Sequence, residues 1–168
     1  MKLVLKLRDE GIILKPTHLA FENKAVLNPA CIEVNGITHM FYRAVNHQNI
    51  SSIGHCQLKN NQVINRLTQP ILAPELDYEI KGAEDPRITL LDDTYYLFYT
   101  AYDGNNALIA YATSQNLINF NKHGLISPRI SYDKAEDIFR HSQVRERYTL
   151  FETLYKSKRG QNVLLYEK

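Results

Sequence analysis

The sequence has no tryptophan, only two cysteines, no cluster of one charge and no long apolar run. Each shortage closes off a class of protein. Cys31 and Cys56 are too few for a disulfide framework and lack metal-ligand spacing, so both are expected to be buried free thiols. The histidines at 18, 39, 47, 55, 123 and 141 form no metal spacing either, so no metal is expected. A Gly-rich phosphate loop, a Ser-centred elbow and a CxxC pair are all missing, and no organic cofactor is implied. No stretch approaches the length of a membrane span, and the opening "MKLVLKLRDEG" is too charged for a signal peptide. A cytoplasmic protein without membrane contact is the expectation. The net charge of +2 comes without a Lys/Arg patch, which argues against a nucleic-acid partner. Long amphipathic helical patterns are nearly absent as well.

What is present is β-structure. The chain of 168 residues, 44% hydrophobic and with 11 Tyr and 6 Phe for bulk, suffices for one domain with a core. Short runs rich in Val, Ile, Phe and Tyr are separated by turn chemistry. "ACIEVNGITHMFYRA" reads as strand, Asn35-Gly36 turn, strand. "RITLLDDTYYLFYTA" has the same layout around Asp92-Asp93, and "IFRHSQVRERYTLFETL" is a weaker third copy. Aligning the second strands pairs Met40-Phe41 with Leu97-Phe98 and Leu150-Phe151, 57 and then 53 positions apart. A further strand follows each copy, "SIGHC", "LIAYA" and "VLLYE", and the first two copies add a fourth, "QVINRL" and "INFNKHG".

Four strands at a period of roughly 50 residues are the mark of a β-propeller blade. The expected boundaries are 19–68 for the first blade, 84–124 for the second and 136–168 for a partial third. An ordinary β-sandwich is the competing architecture. An incomplete ring leaves apolar blade flanks uncovered, so self-association or a partner chain is expected.

"GAEDPRITLLDDTYYLFYT" presses two acids, a proline and an arginine against a strand that ought to disfavour them. Asp85 is expected at the start of the second blade's first strand, held extended by Pro86. Glu84 and Asp85 would then point to opposite sides, with only one facing the axis. Asn28-Pro29 stands 57 positions before Asp85-Pro86. Arg43, a charge within the apolar run "MFYRAV", needs a partner: a carboxylate such as Asp85 or Glu84, or a ligand's hydroxyl groups.

These residues, "VLNPA", "MFYRAV", "GAEDPRIT" and "YYLFYTAYDG" in that order, resemble glycoside hydrolase family 130. That family holds β-mannoside phosphorylases and β-1,2-mannosidases on a five-bladed propeller of about twice this length. The resemblance implies a β-mannoside oligosaccharide as partner, with inorganic phosphate as co-substrate if the reaction is phosphorolysis. Asp85 corresponds to the acid that protonates the glycosidic oxygen. Asn28, Arg43, Glu84, Arg87 and Asp103 are expected around the substrate, Arg87 anchoring the carboxylates from behind. Inversion by phosphate needs no enzymic base, whereas hydrolysis needs a second carboxylate about 6.5 to 9.5 Å away to activate water.

The chain also departs from the family pattern. Where the phosphorylases carry a stretch like Asn-Lys-Asp, this chain has Lys134 followed by Ala135, and Thr153 takes the place of a phosphate-binding arginine. Threonine cannot reproduce arginine's fork. Two alternatives therefore stay open: a carbohydrate-binding or degenerate propeller fragment, and an arabinanase-type five-bladed glycosidase. The latter usually places a catalytic Asp where this chain has Asn28, which argues against it.

Overall fold

A computed structural model describes residues 11–126, so the third sequence copy, with Lys134, Ala135, His141 and Thr153, lies outside the described residues. Within them the chain is all-β. Strand β1 (Ala25–Val34) turns into β2 (Ile37–Val45) through Asn35 and Gly36, at φ 51° and 74°. Two successive positive φ values are what a tight hairpin turn matching strand twist requires, and Asn-Gly supplies them with little strain. Strands β3 (Ser51–Lys59) and β4 (Gln62–Arg66) complete a four-stranded antiparallel meander. The second meander repeats it: β5 (Gly82–Leu91), β6 (Thr94–Tyr102), β7 (Ala107–Ser114) and β8 (Asn121–Leu125). Its first turn, Asp92-Asp93, has φ 46° and 60°.

The two meanders meet through one parallel pair, Ser51 with Gly82. Between them the chain runs back along β3, where the Ile53 amide donates to Leu72 O at 2.8 Å and the Ile71 amide to Ile53 O at 2.8 Å. A single 3-10 turn, Asp77–Glu79, leads into β5.

Alternation along β2 explains its apolar run. Met40, Tyr42 and Ala44 pack with Cys56 and Leu58 on one face, against Leu14, Phe21 and Val26. Phe41, with Ile53 from β3, faces the other way and shares a core with Leu97, Tyr99, Ala101, Ala110 and Ala112 of the second meander. A strand buried on both faces reads as a continuous hydrophobic stretch. Cys56 is buried as expected, but Cys31 is exposed, because the flanking strand β1 turns that side chain towards solvent.

Buried polar anchors tie each meander to the segment before it. Glu22, fully buried, accepts from the Tyr42 hydroxyl at 2.7 Å and from Arg66 Nη2 at 2.8 Å. Glu79, also fully buried, accepts from the Tyr99 hydroxyl at 2.8 Å and from Lys122 Nζ. Burial, and then the bond to its glutamate, hold both phenols above the ordinary tyrosine range. Gly54 makes room for the first anchor, since a Cβ there would sit 2.4 Å from the Tyr42 ring.

Candidate active site

Two bulges build the site. On β1, Leu27 pairs with Arg43 and Ala30 with Phe41, so Asn28 and Pro29 together oppose Tyr42. On β5, Glu84 pairs with Thr100 and Arg87 with Phe98, so Asp85 and Pro86 oppose Tyr99. The extra residue at each bulge has no ladder partner, which is where a proline costs nothing. Asn28 and Asp85 take φ of 48° and 49°, the left-handed region that Asn and Asp tolerate better than other non-glycine residues.

This corrects two expectations. Asp85 is neither extended nor at the strand's start; it is the fourth residue of β5 and left-handed. The bulge also cancels the simple alternation, so Glu84 and Asp85 no longer point apart. Both reach the same guanidinium: Arg43 Nη2 donates to Glu84 Oε1 at 2.7 Å, and Nη1 lies 3.5 Å from Asp85 Oδ1. Asn28 Nδ2 donates to that same Asp85 Oδ1 at 2.7 Å. The two contacts share one oxygen, and neither uses Oδ2.

Exposure separates the two acids. The Asp85 side chain is 37% exposed and open to a ligand, whereas Glu84 is 13% exposed and enclosed. Glu84 Oε1 accepts a further bond at 2.9 Å from the hydroxyl of Ser51, a residue without any motif signal in the sequence. That hydroxyl accepts in turn from Arg43 Nε at 3.0 Å. The charge in "MFYRAV" is thus paired, and pairing is what makes a half-buried guanidinium tolerable.

Two other expected residues make local bonds. Arg87 is exposed and its Nη1 donates to Pro86 O at 2.7 Å, so its guanidinium turns back on its own strand rather than anchoring the carboxylates. Asp103 organises the β6–β7 loop: its Oδ1 accepts from the amides of Asn105 and Asn106 at 2.8 and 2.7 Å, and its Oδ2 from Asn106 Nδ2 at 3.1 Å. That is the ordinary work of an aspartate in a turn. Among the described residues no group of three or more His, Cys, Asp or Glu could hold a metal ion.

The arrangement presents one accessible carboxylate, a side-chain amide and a guanidinium with donors to spare. Such a set can grip hydroxyl groups and deliver a proton to a neighbouring oxygen.

The glycoside hydrolase family 130 model, described as beta-1,4-mannooligosaccharide phosphorylase, matches residues 9–168. A 1,2-beta-oligomannan phosphorylase of Thermoanaerobacter sp. (strain X514) is 32% identical over 131 residues, covering 72% of this chain and 44% of that protein. The beta-1,2-mannobiose phosphorylase of the same organism is 31% identical over 162 residues, covering 87% of this chain and 53% of its own length. The chain therefore spans about half the length of these curated relatives. Among solved structures, a glycosyl hydrolase from Bacteroides ovatus superposes with a TM-score of 0.65 at 26% identity, over 73% of this chain and 41% of the other. The bulged Asn28 and Asp85, the arginine between them and the match across nearly the whole chain agree: this chain belongs to glycoside hydrolase family 130.

Proposed function

We propose that this chain carries the acid-bearing part of an inverting β-mannoside phosphorylase or mannosidase site, with Asp85 as general acid. The convergence of Asn28 and Arg43 on Asp85 Oδ1 carries the reading. Asp85 protonates the glycosidic oxygen, in phosphorolysis through a sugar hydroxyl, while Asn28 and Arg43 hold the mannose. Two of its relatives are phosphorylases of β-1,2-mannosides, which supports mannoside chemistry here. The fold we infer for the complete ring is a five-bladed propeller, in which the two described meanders are the first two blades and residues 136–168 a partial third.

Glu84, enclosed and tied through Oε1 to Arg43 and Ser51, is assigned to holding the arginine rather than to the base that hydrolysis needs. The nucleophile's site, for phosphate or water, must come from elsewhere in a full ring. Thr153 in place of an arginine weakens phosphate binding by this chain. Alone, the chain is expected to turn over mannosides little or not at all.

The test is to incubate β-1,4- and β-1,2-mannobiose, with and without phosphate, with a version extended to the length of the relatives. Mannose 1-phosphate or mannose released with inverted anomeric configuration supports the reading; no cleavage of either disaccharide opposes it. The departures at Ala135 and Thr153 favour one second reading, a sugar-binding module without catalysis. Binding without turnover in the extended version would select it.

A further inference from the structure

We propose that Ser51 is a positioning residue for the Asp85 cluster and acts by fixing the plane of Arg43. Its catalytic meaning rests on the proposed function, but its geometry does not. Ser51 is fully buried, so its hydroxyl would be costly there without partners. It has two: it accepts from Arg43 Nε at 3.0 Å and donates to Glu84 Oε1 at 2.9 Å. Glu84 Oε1 accepts from Arg43 Nη2 at 2.7 Å, which closes a ring of three side chains.

A guanidinium is flat and rigid, so holding Nε and Nη2 fixes its whole plane. Nη1 is then held beside Asp85 Oδ1, 3.5 Å away, as an ion pair. Were Ser51 absent, the Glu84 contact would act as a single hinge, and Nη1 could swing off Asp85. The guanidinium has five N–H groups. Two are donated, to Ser51 and Glu84, leaving one on Nη2 and the pair on Nη1, beside Asp85, for a ligand's hydroxyls. Ser51 thereby sets where those three point. Gly82, paired with Ser51 across the junction, leaves the space for this: a Cβ there would lie 2.6 Å from Glu84 Oε1.

The internal repeat separates this ring from scaffold. The Glu22–Tyr42 and Glu79–Tyr99 anchors occur in both meanders. Among the described residues the Ser51–Arg43–Glu84 ring occurs once. By strand pairing, the places of Arg43 and Ser51 are taken in the second meander by Thr100 and Ala107, and that of Glu84 in the first by Leu27. A polar trio that breaks an otherwise kept pattern, at the junction beside the exposed acid, is specific to the site.

The experiment is NMR on the 15N-labelled full chain, following the Arg43 Nε–H signal, identified by its loss in Arg43→Lys. Ser51→Ala should speed exchange of that proton about tenfold or more, the scale expected for losing a hydrogen bond to a charged group. Ser51→Thr, which keeps the hydroxyl, should restore it, with Tyr96 and Phe98 amide signals unmoved in both. An unchanged Arg43 signal in Ser51→Ala overturns the proposal. So does loss of the whole spectrum in both variants, which would make Ser51 a packing residue. A Ser51-dependent signal in a protein that binds no mannobiose would count against the proposed function alone.

Discussion

Lowering the pH from 7 to 5 should weaken the fold through a buried histidine pair. His39 Nδ1 and His55 Nε2 lie 3.0 Å apart, and His55 is fully buried between that ring and Phe41. Its Nδ1 finds no hydrogen-bond partner among the described residues. A neutral His55 that donates from Nε2 keeps the proton off this orphaned atom; a protonated one must bury an N–H with no acceptor. Burial first, and the neighbouring His39 second, push the His55 pKa down to about 4, and burial lowers that of His39.

Because the folded value lies below the unfolded one of about 6.5, the unfolded chain binds the extra proton first. Stability is therefore full above about pH 6.5, falls as pH drops, and the loss is complete near pH 4, at about 3 kcal/mol for His55. By pH 5 about 2 kcal/mol should be gone, before most carboxylates titrate. Urea unfolding of the wild type and of His55→Phe, which can still stack on Phe41, should show their stability difference moving by about that amount between pH 7 and 5. Parallel pH dependence in the two proteins would refute the reasoning.

Arg43→Ala should weaken mannoside binding and cost ~1–2 kcal/mol of stability, because it strands Glu84 while solvent reaches part of the pair; calorimetric titration and urea melts measure both. Tyr99→Phe removes a donor from the fully buried Glu79 and should destabilise by about 1–3 kcal/mol in thermal melts without altering the Arg43 signal. Apolar side chains such as Ile109, 55% exposed, leave uncovered surface, so light scattering at rising concentration should show self-association; a compact monomer throughout would oppose that.

Much of this was legible in the sequence because turn chemistry is local. Asn35-Gly36 and Asp92-Asp93 demanded hairpins, and the 57-residue offset placed Asn28 opposite Asp85 in the pattern before any contact was known. The backbone at those two residues was not legible. A following proline argues for an extended residue, but a bulge with an Asn or Asp at positive φ satisfies the same proline by removing it from the ladder. That single change brings Glu84 and Asp85 onto one arginine. The partners of Arg43 were open for a related reason: Ser51 and Glu84 are 8 and 41 positions away, and only the junction of the two meanders joins them. The glutamates at 22 and 79 show the same 57-residue spacing, with tyrosines at 42 and 99, and that pattern was a readable signal. Arg87 and Asp103 lie inside the runs that carry the resemblance, and in the fold both make local bonds, to Pro86 O and from the amides of Asn105 and Asn106.

The most direct measurement is turnover of β-1,2- and β-1,4-mannobiose by Asp85→Asn in a version extended to the length of the relatives, beside the unmutated protein. Asparagine keeps the shape and can still pair with Asn28, but it has no proton to give to a leaving oxygen. Turnover should fall by orders of magnitude, as for removal of a catalytic group, with mannobiose binding and thermal stability little changed. Near-normal turnover in Asp85→Asn would contradict the assignment of Asp85 as general acid.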